Sequence, residues 1–207
     1  MVLTYAEEHT MPKFSDKEKE MIRDRLRSEG EKLFSAHGLR KVTVDDIVQA
    51  SGIAKGSFYS FYENKEYLFM DINNEIQRKV WEKMTAILEQ NKALPARELT
   101  KMTFHAMSML VAEYPMIAML QPDTIQYLMR KLPSEMIEEH TKEDSDSLQL
   151  LEKYGVQFTC DRELAAKVFQ YVFIFSLSLS NENPEIQRDV MEIILNGTID
   201  QIVREEK

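Results

Sequence analysis

The chain has 207 residues, of which 43% are hydrophobic, and its formal net charge is −9. This apolar content is sufficient for a packed core and excludes a mostly disordered chain. Only six Gly and six Pro are present, and the many Met, Leu, Glu and Lys residues favour helix over sheet. Cys160 is the only cysteine, which excludes a disulfide within the chain.

The first residues do not have the composition of a targeting segment. Residues 1–14 include Glu7 and Glu8 but no basic stretch followed by an apolar run, so we expect a flexible arm and not a signal peptide. The longest apolar stretch, Val168–Leu179, is too short to span a bilayer. We therefore expect a cytoplasmic protein that has no membrane partner.

The first predicted helix follows this arm. Ser15 or Asp16 can cap its N-terminus, and Gly38 is suited to end it. Apolar residues recur between the charged ones at helical spacing. They are Ile22, Leu26, Leu33 and Phe34.

Two short helices are predicted next. Thr43 is a good N-cap and is followed by acidic residues in the first turn, while Ser51–Gly52 breaks the helix. A second short helix is expected over Ile53–Phe61. A pair of short helices joined by a Ser-Gly turn is the organisation of a helix-turn-helix.

The rest of the chain also has helical periodicity. A long helix is expected from Lys65 to about Gln90, and Pro95 is suited to begin another that reaches Tyr114. Three later prolines divide the chain into shorter helices. They are Pro115, Pro122 and Pro133.

The last predicted helices follow a polar segment, 141–147, which we expect to be an exposed loop. Asp161 can cap a helix that reaches about Ser180, and Pro184 can begin the last one. The helix before Ser180 is apolar on nearly every side, so it must be buried on more than one face. The sequence therefore predicts an all-α protein of about nine helices.

The negative net charge is unevenly distributed. Residues 13–66 contain 11 Lys and Arg against 10 Asp and Glu, so this segment is almost neutral and the acidity lies elsewhere. A nearly neutral segment can approach nucleic acid even in an acidic protein. The overall charge therefore does not exclude DNA as a partner.

The segment from Leu26 to Leu68 resembles the DNA-binding signature of the TetR family of bacterial regulators. The resemblance covers about the first third of the chain, and it rests on the order and spacing of a set of residues. They are Leu26, Leu33-Phe34, Gly38, Thr43-Val44-Asp45-Asp46-Ile47, Ala50-Ser51-Gly52-Ile53-Ala54-Lys55-Gly56-Ser57-Phe58-Tyr59, Phe61-Tyr62 and Asn64-Lys65-Glu66-Tyr67-Leu68.

The resemblance implies two domains and a regulatory function. Residues 15–66 would form a three-helix DNA-binding domain, and residues 67–207 a helical domain for effector binding and dimerisation. We expect a regulator, by family default a repressor, that leaves a palindromic double-stranded operator when a small lipophilic effector binds. Activation by a member of the same family is the alternative.

The resemblance also implies which residues contact DNA. They are Thr43, Lys55, Gly56, Ser57, Tyr59, Ser60, Phe61 and Lys65. Thr43 and Lys65 would contact phosphates, and the residues from Lys55 to Ser57 would lead the recognition helix into the major groove. Phe61 stands where relatives commonly carry Tyr or His, so either packing or contact with a thymine methyl group is open to it.

A Met-rich segment lies in the predicted effector domain. Met at helical spacing is usually core, but its flexible side chain also suits a pocket for a lipophilic ligand. Both interpretations stay open. The predicted pocket residues are Met102, Phe104, His105, Met109, Met116, Met119, Tyr127, Phe169 and Phe173. An effector bound there would shift the long helix that spans Lys65 to Gln90. This shift would change the separation of the recognition helices of the two subunits.

The last two helices are the predicted dimer interface. A symmetric homodimer can read a palindrome with one helix-turn-helix per half-site. The predicted interface residues are Phe169, Phe173, Leu177, Ile186, Val190, Ile193 and Gly197.

An enzyme and a helical adaptor without DNA binding are the competing classes. The four histidines do not pair with each other or with Cys160 at metal-ligand spacing, and no Gly-rich phosphate loop or nucleophile elbow is present. We therefore expect no enzymatic activity, no metal and no cofactor.

Overall fold

The computed structural model describes residues 14–179 and 182–204, without the side chains of residues 111 and 138–147. Within these ranges the chain forms nine α-helices and one 3-10 helix, and its only strand-like pairing is an isolated bridge between Phe158 and Val203. The all-α prediction is confirmed. The predicted flexible arm lies outside the described residues, apart from Phe14.

The helices follow one another with short connections. They are α1 (Asp16–His37), α2 (Val44–Ser51), α3 (Lys55–Phe58), α4 (Lys65–Asn91), α5 (Ala96–Glu113), the 3-10 helix Pro115–Met119, α6 (Pro122–Leu128), α7 (Ser134–Lys153), α8 (Arg162–Ser178) and α9 (Pro184–Ile202). The chain divides into two compact units, Met1–Leu68 and Phe69–Lys207. Across the described ranges, no helix has the length and apolarity to cross a membrane.

Side-chain caps fix where the helices of the first unit begin. The Ser15 hydroxyl accepts a hydrogen bond from the Glu18 N–H at 3.3 Å, and the Glu18 carboxylate accepts one from the Ser15 N–H at 2.8 Å. This reciprocal capping box satisfies two N–H groups that the first turn would otherwise leave without partners. The helix ends at Gly38, whose φ of 81° is favourable only for glycine.

The core of the first unit forms where α1 packs against α2, and α2 against α3. Its buried side chains come from the three helices and from the α1–α2 and α3–α4 connections. They are Leu26, Phe34, Leu39, Val42, Ile47, Val48, Phe58 and Tyr62. Because α2 has only eight residues and α3 only four, their stability comes from this burial more than from helix propensity.

The third helix is shorter than predicted. We expected helix over Ile53–Phe61, but α3 spans Lys55–Phe58. The two central residues, Gly56 and Ser57, are poor helix formers, and no side chain caps the N-terminus at Ala54. Beyond Phe58 the chain continues in tight turns, in which Ser60 N–H donates to Ser57 O at 3.1 Å.

The predicted loop at 141–147 is wrong, because α7 is continuous through this segment. Buried apolar residues anchor the helix on both sides of the polar stretch. Ile137 is 4% exposed, and so is Leu148 eleven residues later. Eleven residues make about three helical turns, so both side chains lie on the same face. A polar stretch therefore does not exclude helix.

Candidate nucleic-acid interface

An exposed surface of the first unit is formed by α2, the turn after it and α3. The turn depends on Gly52, whose φ of 64° places it in the left-handed region. Its N–H caps the end of α2 by donating to Gln49 O and Val48 O. We call this the α2–α3 surface. Its exposed residues include Thr43, Asp45, Lys55, Gly56, Tyr59 and Ser60.

Thr43 is the N-cap of α2, as the sequence predicts. Its hydroxyl accepts from the Asp46 N–H at 3.2 Å and donates to the Asp46 carboxylate at 2.6 Å. The Thr43 N–H also donates to that carboxylate, at 2.8 Å. These bonds from the Thr43 hydroxyl and then from its N–H hold the pKa of Asp46 below its ordinary value. A contact between Thr43 and phosphate remains a prediction.

Lys55 begins α3 and forms an ion pair with Asp45 of α2. Its ammonium lies 2.9 Å from Oδ1 and 3.0 Å from Oδ2 of that carboxylate. The hydrogen bond to Asp45, and then the charge of Asp45, raise the pKa of Lys55. Both side chains are exposed, so the pair faces solvent at the position where the sequence predicts a DNA contact.

Gly56 occupies open space. A Cβ placed on it would meet nothing within 4 Å, and its backbone lies in the ordinary helical region. No steric contact within the chain therefore requires glycine here, although glycine costs a helix about 1 kcal/mol relative to alanine. The absence of a side chain is explained if an external partner approaches the backbone closely.

The residues that follow Gly56 differ in burial. Phe58 is fully buried, and its ring lies 5.5 Å from that of Tyr59 and 5.9 Å from that of Tyr62. Tyr59 itself is 52% exposed. Ser57 is half-buried, and the exposed Ser60 donates its hydroxyl to Gly56 O at 3.4 Å. Phe58 therefore anchors the turn that presents Tyr59.

Phe61 is held by the start of α1. Its ring centroid lies 6.4 Å from that of Phe14, and the Arg23 guanidinium lies 6.0 Å from the same ring. The side chain is half-buried. This geometry favours the packing alternative for Phe61, while its contact with DNA remains a prediction.

Lys65 is engaged within the first unit. Its ammonium donates to three backbone carbonyls of the α1–α2 connection: Leu39 O at 2.8 Å, Arg40 O at 3.3 Å and Val42 O at 2.5 Å. A lysine ammonium has three protons, so this arrangement uses all of them. The predicted phosphate contact would require Lys65 to give up one of these bonds. The sequence alone gave no sign of this role, because the three carbonyls meet Lys65 only after folding.

In the second unit, the predicted effector-pocket residues do not form one cluster. Phe104 is buried and its ring lies 6.4 Å from that of Phe173, while Phe169 packs at 6.3 Å against Phe158. Met116 is fully buried, whereas Met109 is 74% exposed. Of the other predicted side chains, His105 is exposed, and three are half-buried. These three are Met102, Met119 and Tyr127.

A cavity of about 420 Å³ lies between α5, α8 and α9. Phe104 and His105 are the predicted pocket residues that line it. The other lining residues were not predicted, because helix periodicity does not show where three helices leave space between them. They are Ser108, Ala112, Ser176, Leu177, Pro184, Gln187, Arg188, Met191, Glu192 and Leu195.

One carboxylate at this cavity has two cationic or polar neighbours from α5. Glu192 lies 2.5 Å from the Lys101 ammonium and 3.2 Å from Nε2 of His105. The hydrogen bond from Lys101 is the main reason that the pKa of Glu192 lies below its ordinary value. His105 is thus paired with a side chain of the same unit. Nowhere in the described part of the chain do three or more His, Cys, Asp or Glu side chains gather as metal ligands.

The predicted dimer-interface residues are mostly exposed on α9, whereas those on α8 pack within the unit or line the cavity. On α9, Ile186 is 53% exposed and Ile193 is 74% exposed. Gly197 is exposed and Val190 half-buried, and the four positions recur at spacings of four, three and four. On α8, Phe169 and Phe173 pack against other aromatic rings, and Leu177 lines the cavity.

Other apolar side chains of α8 face solvent. They are Leu164 at 51%, Tyr171 at 67% and Phe175 at 38% exposure. Periodicity could not separate this face from the inward one, because α8 is apolar on nearly every side.

The chain is similar to known bacterial regulators in sequence. Residues 26–72 match the family model described as bacterial regulatory proteins, tetR family. A 68-residue segment is 32% identical to the "Probable acrEF/envCD operon repressor" of Escherichia coli (strain K12). The match covers 31% of this chain and 31% of the relative, so it spans about a third of the curated protein.

Solved structures share the fold over most of the chain. The fatty acid degradation regulator FadR from Bacillus halodurans has a TM-score of 0.60 at 18% identity, and the match covers 88% of this chain and 96% of that one. The ketosteroid transcriptional regulator KstR2 of Mycobacterium tuberculosis has a TM-score of 0.61 at 19% identity, covering 88% and 95%. The first third of the chain is therefore similar in sequence to the TetR family of bacterial regulatory proteins, and the fold of the chain is similar to that of solved regulators.

Proposed function

We propose that this protein is a cytoplasmic transcriptional regulator that binds double-stranded DNA through the α2–α3 surface. Gly56 is the observation that carries the proposal, because its missing side chain is explained by a partner from outside the chain. Lys55 and Tyr59 flank it and are exposed, so a phosphate backbone can reach both. The curated relative is named as an operon repressor, which supports repression over activation.

Duplex binding by the full chain tests this function. The probe is a mixed-sequence duplex of about 30 base pairs, long enough for two half-sites one helical turn apart. We expect the logarithm of the association constant to fall linearly with the logarithm of salt concentration, because bound phosphates release counterions. Binding that is absent at low salt, or insensitive to salt, would contradict the proposal and favour an adaptor or an enzyme.

Gly56→Ala separates the DNA-binding role of Gly56 from a structural one. We expect the free energy of unfolding to stay the same or to rise by up to about 1 kcal/mol, because alanine favours helix. Duplex affinity should fall about tenfold, which corresponds to about 1.4 kcal/mol, since a methyl group would then separate the backbone from DNA. Urea unfolding and duplex titration measure the two effects. A variant that is destabilised, or that binds like wild type, would remove Gly56 from the interface.

We also propose that the regulator is a homodimer, which associates through α8 and α9 and reads a palindromic operator with its two α2–α3 surfaces. The exposed apolar residues of these two helices support this, because isolated soluble units rarely leave so many on neighbouring helices. The dimer face includes Ile186, Val190, Ile193 and Gly197 of α9 as predicted. On α8, the exposed Leu164, Tyr171 and Phe175 are better candidates than Phe169 and Phe173.

Ile193→Glu is expected to separate the dimer. It places a charge at the most exposed apolar position of α9, and burying that charge would raise the dissociation constant by about thirtyfold, equivalent to roughly 2 kcal/mol. Met109→Glu on α5 is the matched control, because Met109 is also 74% exposed. Sedimentation velocity at micromolar concentration should show monomer for Ile193→Glu and dimer for Met109→Glu. A monomeric wild-type protein would refute the dimer.

A small lipophilic effector is proposed for the cavity between α5, α8 and α9. Its volume of about 420 Å³ suits a small molecule, and Phe104, Met191 and Leu195 give it an apolar floor. An effector can regulate only if it binds the two DNA-binding states with different affinity. With a medium-chain fatty acid as the lipophilic probe, we expect duplex binding to weaken. Tight binding without a change in duplex affinity would exclude that ligand as the effector.

A further inference from the structure

The ion pair between Asp45 and Lys55 joins the two helices of the α2–α3 surface. The carboxylate and the ammonium meet at 2.9 Å, and the pair is open to solvent, with 71% of the Asp45 side chain and 51% of the Lys55 side chain exposed. An exposed pair of this kind stabilises a folded chain little. The ion pair itself therefore contributes little to the stability of the first unit.

The two acids at the start of α2 have different partners. Asp46 is committed to the cap, since both the hydroxyl and the N–H of Thr43 donate to its carboxylate. Asp45 has no part in that capping box, and its carboxylate accepts from Lys55. Removing the charge of Asp45 therefore leaves the helix start intact while freeing the ammonium of Lys55.

This pairing matters for DNA because each lysine that neutralises a phosphate adds to affinity for any sequence. Paired with Asp45, Lys55 contributes no net charge at the start of α3. The Asp45 carboxylate lies one hydrogen-bond length from the Lys55 ammonium. A phosphate that approaches Lys55 therefore also comes close to this carboxylate, and the two negative charges repel each other. The first unit is almost neutral over residues 13–66, so a single charge is a large part of its attraction to DNA.

We propose that Asp45 lowers the non-specific affinity of the α2–α3 surface for duplex DNA, because it pairs with Lys55 and holds that ammonium away from phosphates. This inference rests on the proposed function, because it requires the α2–α3 surface to bind duplex DNA. Asp45 acts through Lys55 and needs no contact with a base.

Asp45→Asn tests the inference with the mixed-sequence duplex of about 30 base pairs as the probe. We expect non-specific affinity at low salt to rise about fivefold. The slope of log affinity against log salt should become steeper by about 0.9, which is the contribution of one extra phosphate contact. Glu82→Gln is the matched control, because it removes one negative charge from an exposed position of α4 in the second unit. The control should change neither quantity.

The double variant Asp45→Asn/Lys55→Gln decides whether Asp45 acts through the lysine. In the Lys55→Gln background, Asp45→Asn should raise affinity less than twofold and leave the salt slope unchanged. Far-UV circular dichroism confirms that each variant folds.

If wild type binds duplex in a salt-dependent way and Asp45→Asn binds with the same slope, the inference is overturned and the proposed function stands. An effect of equal size in the Lys55→Gln background also overturns it. Wild-type protein that does not bind duplex refutes the proposed function and this inference together.

Discussion

Lys65→Met is expected to lower the free energy of unfolding by about 2 kcal/mol, the scale of hydrogen bonds that involve a charged group. The ammonium of Lys65 links the start of α4 to three carbonyls of the α1–α2 connection. Methionine keeps most of the side-chain volume but donates nothing, so the carbonyls of Leu39 and Val42 lose a partner in a part-buried site. Urea unfolding followed by far-UV circular dichroism measures the loss.

Two control variants make this result specific. Lys41→Met changes an exposed lysine of the same connection and should alter stability by less than about 0.5 kcal/mol. Lys65→Arg keeps the charge but should recover only part of the stability, because a planar guanidinium cannot direct its N–H groups at three carbonyls as an ammonium does. Trp81, the only tryptophan, lies in the second unit, so circular dichroism is the better probe of the first.

The same variant separates two roles for Lys65 in DNA binding. As a positioning residue, Lys65 holds the connection that leads to Thr43, and its loss should weaken duplex binding with little change in the salt slope. As a phosphate ligand, it should flatten that slope by about one unit. Unchanged stability together with a flatter slope would restore the phosphate role and contradict the positioning role.

Helix starts were predictable because the signal is local. Ser15, Thr43 and Asp161 each accept a backbone N–H of their own first turn, so residue type and spacing are enough to locate the N-terminus. The family signature likewise lies within one continuous segment, residues 26–72. The start of α2, and with it the position of the α2–α3 surface in the chain, could therefore be predicted from the sequence.

The unpredicted features depend on contacts between distant residues. Lys65 meets carbonyls more than 20 positions away, and Lys55 meets Asp45 ten positions away. Neither pairing leaves a periodic pattern. The outward face of α8 was missed for a different reason: when a helix is apolar on nearly every side, only its packing partners decide which residues remain exposed. Phe173 packs inward and Tyr171 faces out, although both are aromatic.

Phe58→Ala is expected to have the largest effect of any single substitution in the first unit. Phe58 is fully buried, and its ring contacts Tyr59 and Tyr62. Truncating a buried phenylalanine costs about 3–5 kcal/mol, through lost burial and the cavity left behind. A helix of four residues that includes Gly56 cannot persist by its own propensity, so loss of this anchor should unfold α3.

The consequence for function follows from the same geometry. Lys55 and Tyr59 project from the turn that Phe58 anchors, so Phe58→Ala should reduce duplex affinity at least tenfold, equivalent to about 1.4 kcal/mol, without removing any group that contacts DNA. Phe58→Leu keeps the site apolar and nearly filled, and should cost less than about 1.5 kcal/mol. Tyr59→Phe, at a 52% exposed position, should leave stability unchanged but remove the hydroxyl that is predicted to contact the DNA backbone.

These three variants, measured together by urea unfolding and duplex titration, distinguish anchoring from contact. Anchoring requires stability and affinity to fall in parallel from Phe58→Leu to Phe58→Ala, while Tyr59→Phe loses affinity alone. If Phe58→Ala remains folded and binds duplex like wild type, burial of this ring does not position the α2–α3 surface. In that case the tight turns after Phe58, with Phe61 held between Phe14 and Arg23, would have to supply the anchor.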